Sequence, residues 1–169
     1  MRQLFILLIF LAGLSLTSCN SNRQLTRRQT ELLSQQFGFP IHKKDDLRLY
    51  NEAARWLGVP YRSGGNTRKG VDCSGLVVQI YKQTYHKQLE RTTSRIAKEN
   101  CRKIGKGKLK TGDLVFFNTA KKKRKEVNHV GIFLKNGYFI HASTSKGVMV
   151  NNLREKYYHK AWRQGGRVK

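Results

Sequence analysis

The chain predicts an α+β domain, helices first and an antiparallel sheet afterwards, on three observations. Apolar residues recur at helical spacing as far as Glu99. From Lys108 onward the period shortens to that of strands, and Asn136-Gly137 divides two apolar runs as a hairpin turn does. A length of 169 residues suits one such domain with a short appendage, and no internal repeat or second domain is visible.

In chain order, residues 20–24 are polar and read as a tether. Residues 25–37 carry Leu25, Leu32, Leu33 and Phe37 at a weak helical period that stops at Gly38. Ile41 to Lys44 is a connector. Asp45 or Asp46 is placed to N-cap a helix with Leu49, Ala53, Trp56 and Leu57 on one face, Gly58 as its C′ stop and Pro60 beyond. The Gly-rich stretch 61–72 reads as loop. Ser74 to Tyr85 then brings Leu76, Val77, Ile80, Tyr81 and Thr84 onto one helical face, and a third short helix is expected over Thr93 to Glu99. Strands follow at 114–117, 129–135, 138–142 and 147–150. The basic run Lys121 to Lys125 falls between the first two. It reads as a solvated loop, the alternative being a patch for an anionic glycan, lipid or nucleic acid.

Charge widens the choice of function before the N-terminus narrows it. Thirty-four Lys or Arg against 10 Asp or Glu give a formal charge of +24. Such a balance suits phosphate, and equally an anionic membrane or polyanionic cell-wall material. A hydrophobic content of 38% with only 2 Pro argues against long disorder and against a multi-span membrane protein. Met1-Arg2 is a short basic start to an apolar stretch from Leu4 to Leu16. That stretch is shorter than the roughly 20 apolar residues a spanning helix needs, and reads as the apolar core of a secretory signal. It ends in Leu16-Thr17-Ser18-Cys19, which resembles a bacterial lipobox. On that resemblance residues 1–18 are a lipoprotein signal peptide and residues 19–44 a tether with a short helix, lipidated at Cys19. Residues 45–169 are then the folded domain. A plain signal peptide is the alternative. Removing residues 1–18 takes one Arg and leaves +23. An exported chain does not meet the genome, so a membrane anchor through Cys19 is expected and a nucleic-acid partner is not.

The three cysteines are Cys19, Cys73 and Cys101. With Cys19 acylated, Cys73 and Cys101 are the one possible disulfide pair, which an oxidising compartment permits. The context of Cys73 argues instead for a free thiolate, leaving Cys101 as a half-buried small residue. Asp72-Cys73-Ser74-Gly75 stands at a loop-to-helix junction, where unsatisfied N–H groups and the helix dipole favour negative charge. A Cys there is expected to have a lowered pKa, and the same N–H groups can stabilise an oxyanion. On spacing alone, a buried Cys at a helix start fits as well.

A nucleophilic thiol needs a base, and the five histidines are His42, His86, His129, His141 and His159. Two lie in the predicted hairpin, and its loop length decides their relation. A two-residue loop would pair Ile132 with His141 and put His129 and His141 on opposite faces. A three-residue loop, Lys135-Asn136-Gly137 with Gly in a G1 bulge, pairs Leu134 with Tyr138 and Gly131 with His141. The two imidazoles then share a face as diagonal neighbours about 7–8 Å apart at the backbone. The three-residue loop is the one expected. Gly131 leaves room opposite His141, and Phe133 and Phe139 on the same face are expected to pack on the Cys73 helix. His129 is the candidate base and His141 the orienting group. Two histidines satisfied within the fold are the plainer alternative. A zinc site on Cys73, His129 and His141 is another, but the close-set ligand spacings of structural zinc are absent, so no metal or other cofactor is expected.

These residues stand in a larger pattern. Pro60-Tyr61-Arg62-Ser63-Gly64-Gly65, Asp72-Cys73-Ser74-Gly75, Gly112-Asp113-Leu114-Val115-Phe116-Phe117, His129-Val130-Gly131-Ile132 and His141-Ala142-Ser143 occur in the order seen in NlpC-type cell-wall cysteine peptidases. The resemblance covers about residues 45 to 168, and the stretch HASTSKGVMV resembles the Spr-like murein endopeptidase lipoproteins of the outer membrane. It implies a papain-like fold and hydrolysis of peptidoglycan stem-peptide or cross-link amides by a monomer. The Spr-like stretch favours the D-Ala–meso-diaminopimelate cross-link as the bond cut, with γ-D-Glu–diaminopimelate, cut by other relatives, as the alternative. By the same resemblance Cys73 is the nucleophile, His129 the base and His141 the polar third member. Tyr61 helps to bind the oxyanion, and Asp72 and Ser74 contact substrate. Thr111 stands where the family usually has Pro before Gly-Asp, a difference that touches a turn. A non-catalytic wall-binding lipoprotein is the rival from another class.

Overall fold

The computed structural model describes residues 24–120 and 126–169. The proposed signal peptide, the lipid site Cys19 and the basic run Lys121 to Lys125 lie outside the described residues. The chain divides at Leu47 into two compact units. In the first, helix α1 covers residues 24–37 and stops at Gly38, whose φ of +74° few other residues adopt at low cost. Beyond the stop, Ser34 Oγ accepts the Ile41 N–H at 2.8 Å.

The second unit carries the α+β architecture. Helix α2 (Leu47–Ala54) ends earlier than its apolar pattern suggests. The N–H groups of Arg55, Trp56 and Leu57 reach back only three residues, tightening the last turn before Gly58 at φ +78°. The Gly58 N–H then donates to the Val148 carbonyl, joining the turn to the sheet. The stretch expected to be all loop contains a small antiparallel hairpin, β1 (Asn66–Thr67) with β2 (Gly70–Val71). Helix α3 (Cys73–Tyr85) starts directly on Cys73 because Asp72 caps it, accepting the Gly75 N–H at 2.6 Å. Helix α4 (Thr93–Arg95), capped by Thr92, runs on as a π-helical turn over Ile96–Asn100.

Six strands form one antiparallel sheet: β3 (Cys101–Ile104), β4 (Leu114–Phe117), β5 (His129–Phe133), β6 (Tyr138–Ser143), β7 (Gly147–Asn152) and β8 (Trp162–Val168). Their spatial order is β3-β8-β4-β5-β6-β7. Neither β3, β8 nor the helix α5 (Lys156–Ala161) was legible in the apolar pattern. In β8 the reason is packing. A Cβ on Gly166 would stand 2.7 Å from Phe116 Cε2 and 2.9 Å from Cys101 Cβ, so the strand is built of glycine where a neighbour presses on it.

The central hairpin has the three-residue register. Ile132 pairs with Ile140, Phe133 with Phe139, and the Leu134 N–H donates to the Tyr138 carbonyl. Its turn differs from the G1 bulge expected: Asn136 (φ 52°) and Gly137 (φ 87°) are both left-handed, and the Tyr138 N–H donates to Lys135. This is the sense of a type I′ turn with Lys135 as the extra residue. Opposite His141, a Cβ on Gly131 would lie 3.1 Å from the His141 Cβ, so only glycine leaves that space open. Phe133 and Phe139 cluster with Val115, Phe117, Leu153, Tyr158 and Ala161. The face they share with the histidines is therefore covered by α5 and not by the Cys73 helix. Alternation turns Val130, Ile132 and Ile140 to the other face, and α3 packs against β5 and β6.

Candidate active site

Cys73 is the first residue of α3 and is buried, 8% exposed. Its Sγ lies 3.7 Å from Thr93 Oγ1, a partner supplied by the start of α4. Burial pushes the thiol pKa up, and the hydrogen bonds from Thr93 and from the Val130 amide offset this only in part. The lowered pKa expected from the helix terminus is thus not found. Cys101 is also a free thiol, buried at 6% exposure and not half-buried as expected; burial and the charge of Asp113 push it up to about 12.

The loop before Cys73 is held by ionic contacts that sequence reasoning missed. Arg91 donates from Nη1 to Asp72 Oδ1 (3.0 Å) and Ser74 Oγ (2.9 Å), and from Nη2 to Asp72 Oδ2 (2.8 Å) and the Gly65 carbonyl (3.1 Å). Asp72 also accepts the Gly64 N–H at 3.0 Å. Burial works to raise its pKa, but the Arg91 and Gly75 hydrogen bonds and the Arg91 charge outweigh that and hold it below its ordinary value. Asp72 and Ser74 are therefore already spoken for by Arg91. Tyr61, Asp72, Cys73 and Ser74 line one cleft of about 480 Å³ together with Arg91 and Thr93. Tyr61 stays protonated: burial, then the nearby Cys73 and Asp72, raise its pKa.

His129 opens β5, and its Nε2 lies 2.9 Å from His141 Nδ1 on β6. They are 8% and 1% exposed, set among Phe117, Phe139 and Tyr158. Burial first, then the neighbouring His141, lowers the His129 pKa to about 3. Burial lowers His141 as well, opposed by a hydrogen bond to Asn151 and the charge of Glu155. Burial therefore keeps both imidazoles neutral near pH 7, as it does the Cys73 thiol.

Behind His141 lies a chain the sequence did not disclose. His141 Nε2 is 2.8 Å from Asn151 Oδ1 and 3.1 Å from the Tyr158 hydroxyl, and Asn151 Nδ2 donates to Glu155 Oε2 at 2.8 Å. These residues line a second cleft of about 300 Å³ with both histidines. The two clefts approach each other at the start of β5: Val127 and Asn128 line the first, and the next residue is His129. Among the described residues no three His, Cys, Asp or Glu side chains converge as metal ligands.

The sequence matches the NlpC/P60 family over residues 58–167. It is 39% identical over 121 residues to the murein DD-endopeptidase MepS/murein LD-carboxypeptidase of Escherichia coli, an alignment covering 72% of this chain and 62% of that protein. It is 45% identical over 120 residues to the "Probable endopeptidase NlpC" of the same organism, covering 71% and 76%. An NlpC/P60 family protein from Bacillus cereus has a similar structure, with a TM-score of 0.65 at 26% identity over 76% of this chain and 42% of that one. The matched segment runs from the turn after α2 to the end of β8 and takes in Cys73, His129 and His141; the chain belongs to the NlpC/P60 family.

Proposed function

We propose that this chain is a cysteine-type peptidoglycan endopeptidase cleaving the D-Ala–meso-diaminopimelate cross-link. Cys73 is the nucleophile, His129 its general base and His141 the group that orients His129. His129 takes the thiol proton as sulfur attacks the scissile carbonyl, so charge appears only as the reaction proceeds. The Tyr61 hydroxyl and the N–H groups at the start of α3 face the developing oxyanion. The His129 imidazolium then protonates the departing amine, and water, activated by the neutral imidazole, hydrolyses the thioester. The observation that carries this reading is the buried His129–His141 contact at 2.9 Å, built on the strand that approaches the Cys73 thiol.

Identity to a murein DD-endopeptidase supports the choice of bond. The envelope is the corresponding location, with the chain held at the outer membrane by lipid on Cys19 and facing the periplasm as a monomer. A charge of about +23 after processing suits a surface of anionic lipids and wall carboxylates. Mass spectrometry of digested muropeptides tests the assignment. Cross-linked dimers are expected to become monomers; stems shortened to L-Ala-D-Glu would assign γ-D-Glu–diaminopimelate instead, and unchanged dimers would refute the reading.

A further inference from the structure

The hydrogen bonds behind the imidazole pair can run in only one direction, and that direction is set at the far end. The Glu155 carboxylate has only acceptors to offer. Its Oε1 takes the Asn152 N–H at 2.6 Å and its Oε2 takes Asn151 Nδ2 at 2.8 Å. With its NH₂ held there, Asn151 turns Oδ1 toward His141 Nε2 at 2.8 Å; the Tyr158 hydroxyl, 3.1 Å from the same Nε2, gives its one hydrogen to Asn151 Oδ1 at 3.4 Å and so turns a second acceptor toward the ring. A carbonyl oxygen cannot donate, so the His141 hydrogen sits on Nε2 and its Nδ1 is bare. That bare nitrogen faces His129 Nε2 at 2.9 Å, which must therefore be the donor. Nδ1 of His129 is left as the lone pair that can receive a proton.

We propose that Glu155, acting through Asn151, is a positioning residue that fixes the tautomers of His141 and His129 so that His129 keeps a bare Nδ1. With Asn151 reversed, each bond inverts. His141 Nε2 would accept, its Nδ1–H would donate to His129 Nε2, and His129 Nδ1 would carry a hydrogen. An imidazole in that state cannot take the thiol proton, and a wrong tautomer beside a nucleophile is costly. Neither Asn151 nor Glu155 touches the reacting atoms. Their effect passes through the orientation of one amide, which the carboxylate decides.

The catalytic consequence rests on the endopeptidase reading above; the tautomers do not. ¹⁵N spectra of His-labelled protein above pH 7 are expected to show Nε2–H on both rings. Glu155→Ala is expected to move part of each ring to Nδ1–H and to lower kcat on cross-linked muropeptides about ten-fold with KM little changed. Asn151→Asp, placed in the Glu155→Ala background, supplies an oxygen that only accepts. It is expected to restore the Nε2–H tautomers and most of the rate, which distinguishes positioning from a loss of folding. Wild-type rings bearing Nδ1–H would overturn the proposal. So would Glu155→Ala with unchanged spectrum and rate, or failure of the double variant to recover the tautomers. Wild-type protein inert toward murein but showing the expected spectra would instead fault the endopeptidase reading.

Discussion

The two sides of the site are built on opposite electrostatic plans. Around Cys73 the chain concentrates charge and then cancels it: Arg91 meets Asp72 in a two-pronged pair, with Ser74 and Gly65 taking its remaining terminal donors. Around His129 charge is kept out. Two imidazoles stand among aromatic rings, and the nearest carboxylate, Glu155, is separated from them by a neutral amide. The contrast teaches that the ionic side fixes geometry, while the neutral side suits the proton transfer proposed for it. A locked ion pair holds a loop without needing to titrate, and a base lined up by neutral partners is free to change its charge.

The sharpest way to break this comparison is to remove the sulfur proposed to react. Cys73→Ala is expected to abolish murein digestion to background, while Cys101→Ala, buried at the sheet, keeps activity at some cost in stability; a zymogram reads both. The imidazoles come next. His129→Ala is expected to lose on the order of a thousand-fold in kcat, as removal of a general base does. His141→Asn keeps an acceptor and a donor and is expected to retain measurable turnover. If it were inert while His129→Ala stayed active, the roles would be exchanged.

Acid should divide the two sides as well. His129 has a folded pKa of about 3 against about 6.5 in an unfolded chain, so between these values the unfolded state binds more protons. The stability His129 allows is therefore complete above about pH 6.5 and is lost as pH falls toward 3. Thermal melts should show Tm dropping over that window, and His129→Phe should flatten the drop. The smallest effect is expected on the ionic side. Arg91→Ala removes a partly exposed pair worth about 1 kcal/mol and leaves the Asp72 charge uncompensated beside the thiol. Alkylation of Cys73 should then shift to higher pH, and adding Asp72→Asn should return it.

The same division explains what could be read from the sequence. The start of α3 is contiguous, so the loop-to-helix junction at Asp72-Cys73 follows from local rules; the apolar pattern starts the helix at Ser74, and the Asp72 cap brings its first residue back to Cys73. The pairing of His129 with His141 follows from loop length alone, because a hairpin register has few solutions. Asn151 stayed hidden because β7 continues two residues past the apolar 147–150 into Asn151 and Asn152, which have little strand preference. They are held in place by Glu155 and by the β5–β6 turn, through Asn152 Nδ2 to the Asn136 carbonyl and the Leu153 N–H to Gly137. Arg91 was hidden for another reason. It lies in a segment without periodicity, and its partners are 17 to 26 residues away in sequence.

The place of β8 in the sheet has a consequence for the order in which the molecule assembles. Strands β4 to β7 join neighbours that follow one another along the chain, so the part bearing both histidines can form from successive hairpins. Among the described residues β3 pairs only with β8, and β8 must first travel back to the far side of β4. The histidine hairpins are thus expected to form early and to persist, and β3 to be the part whose amides exchange first in the native state.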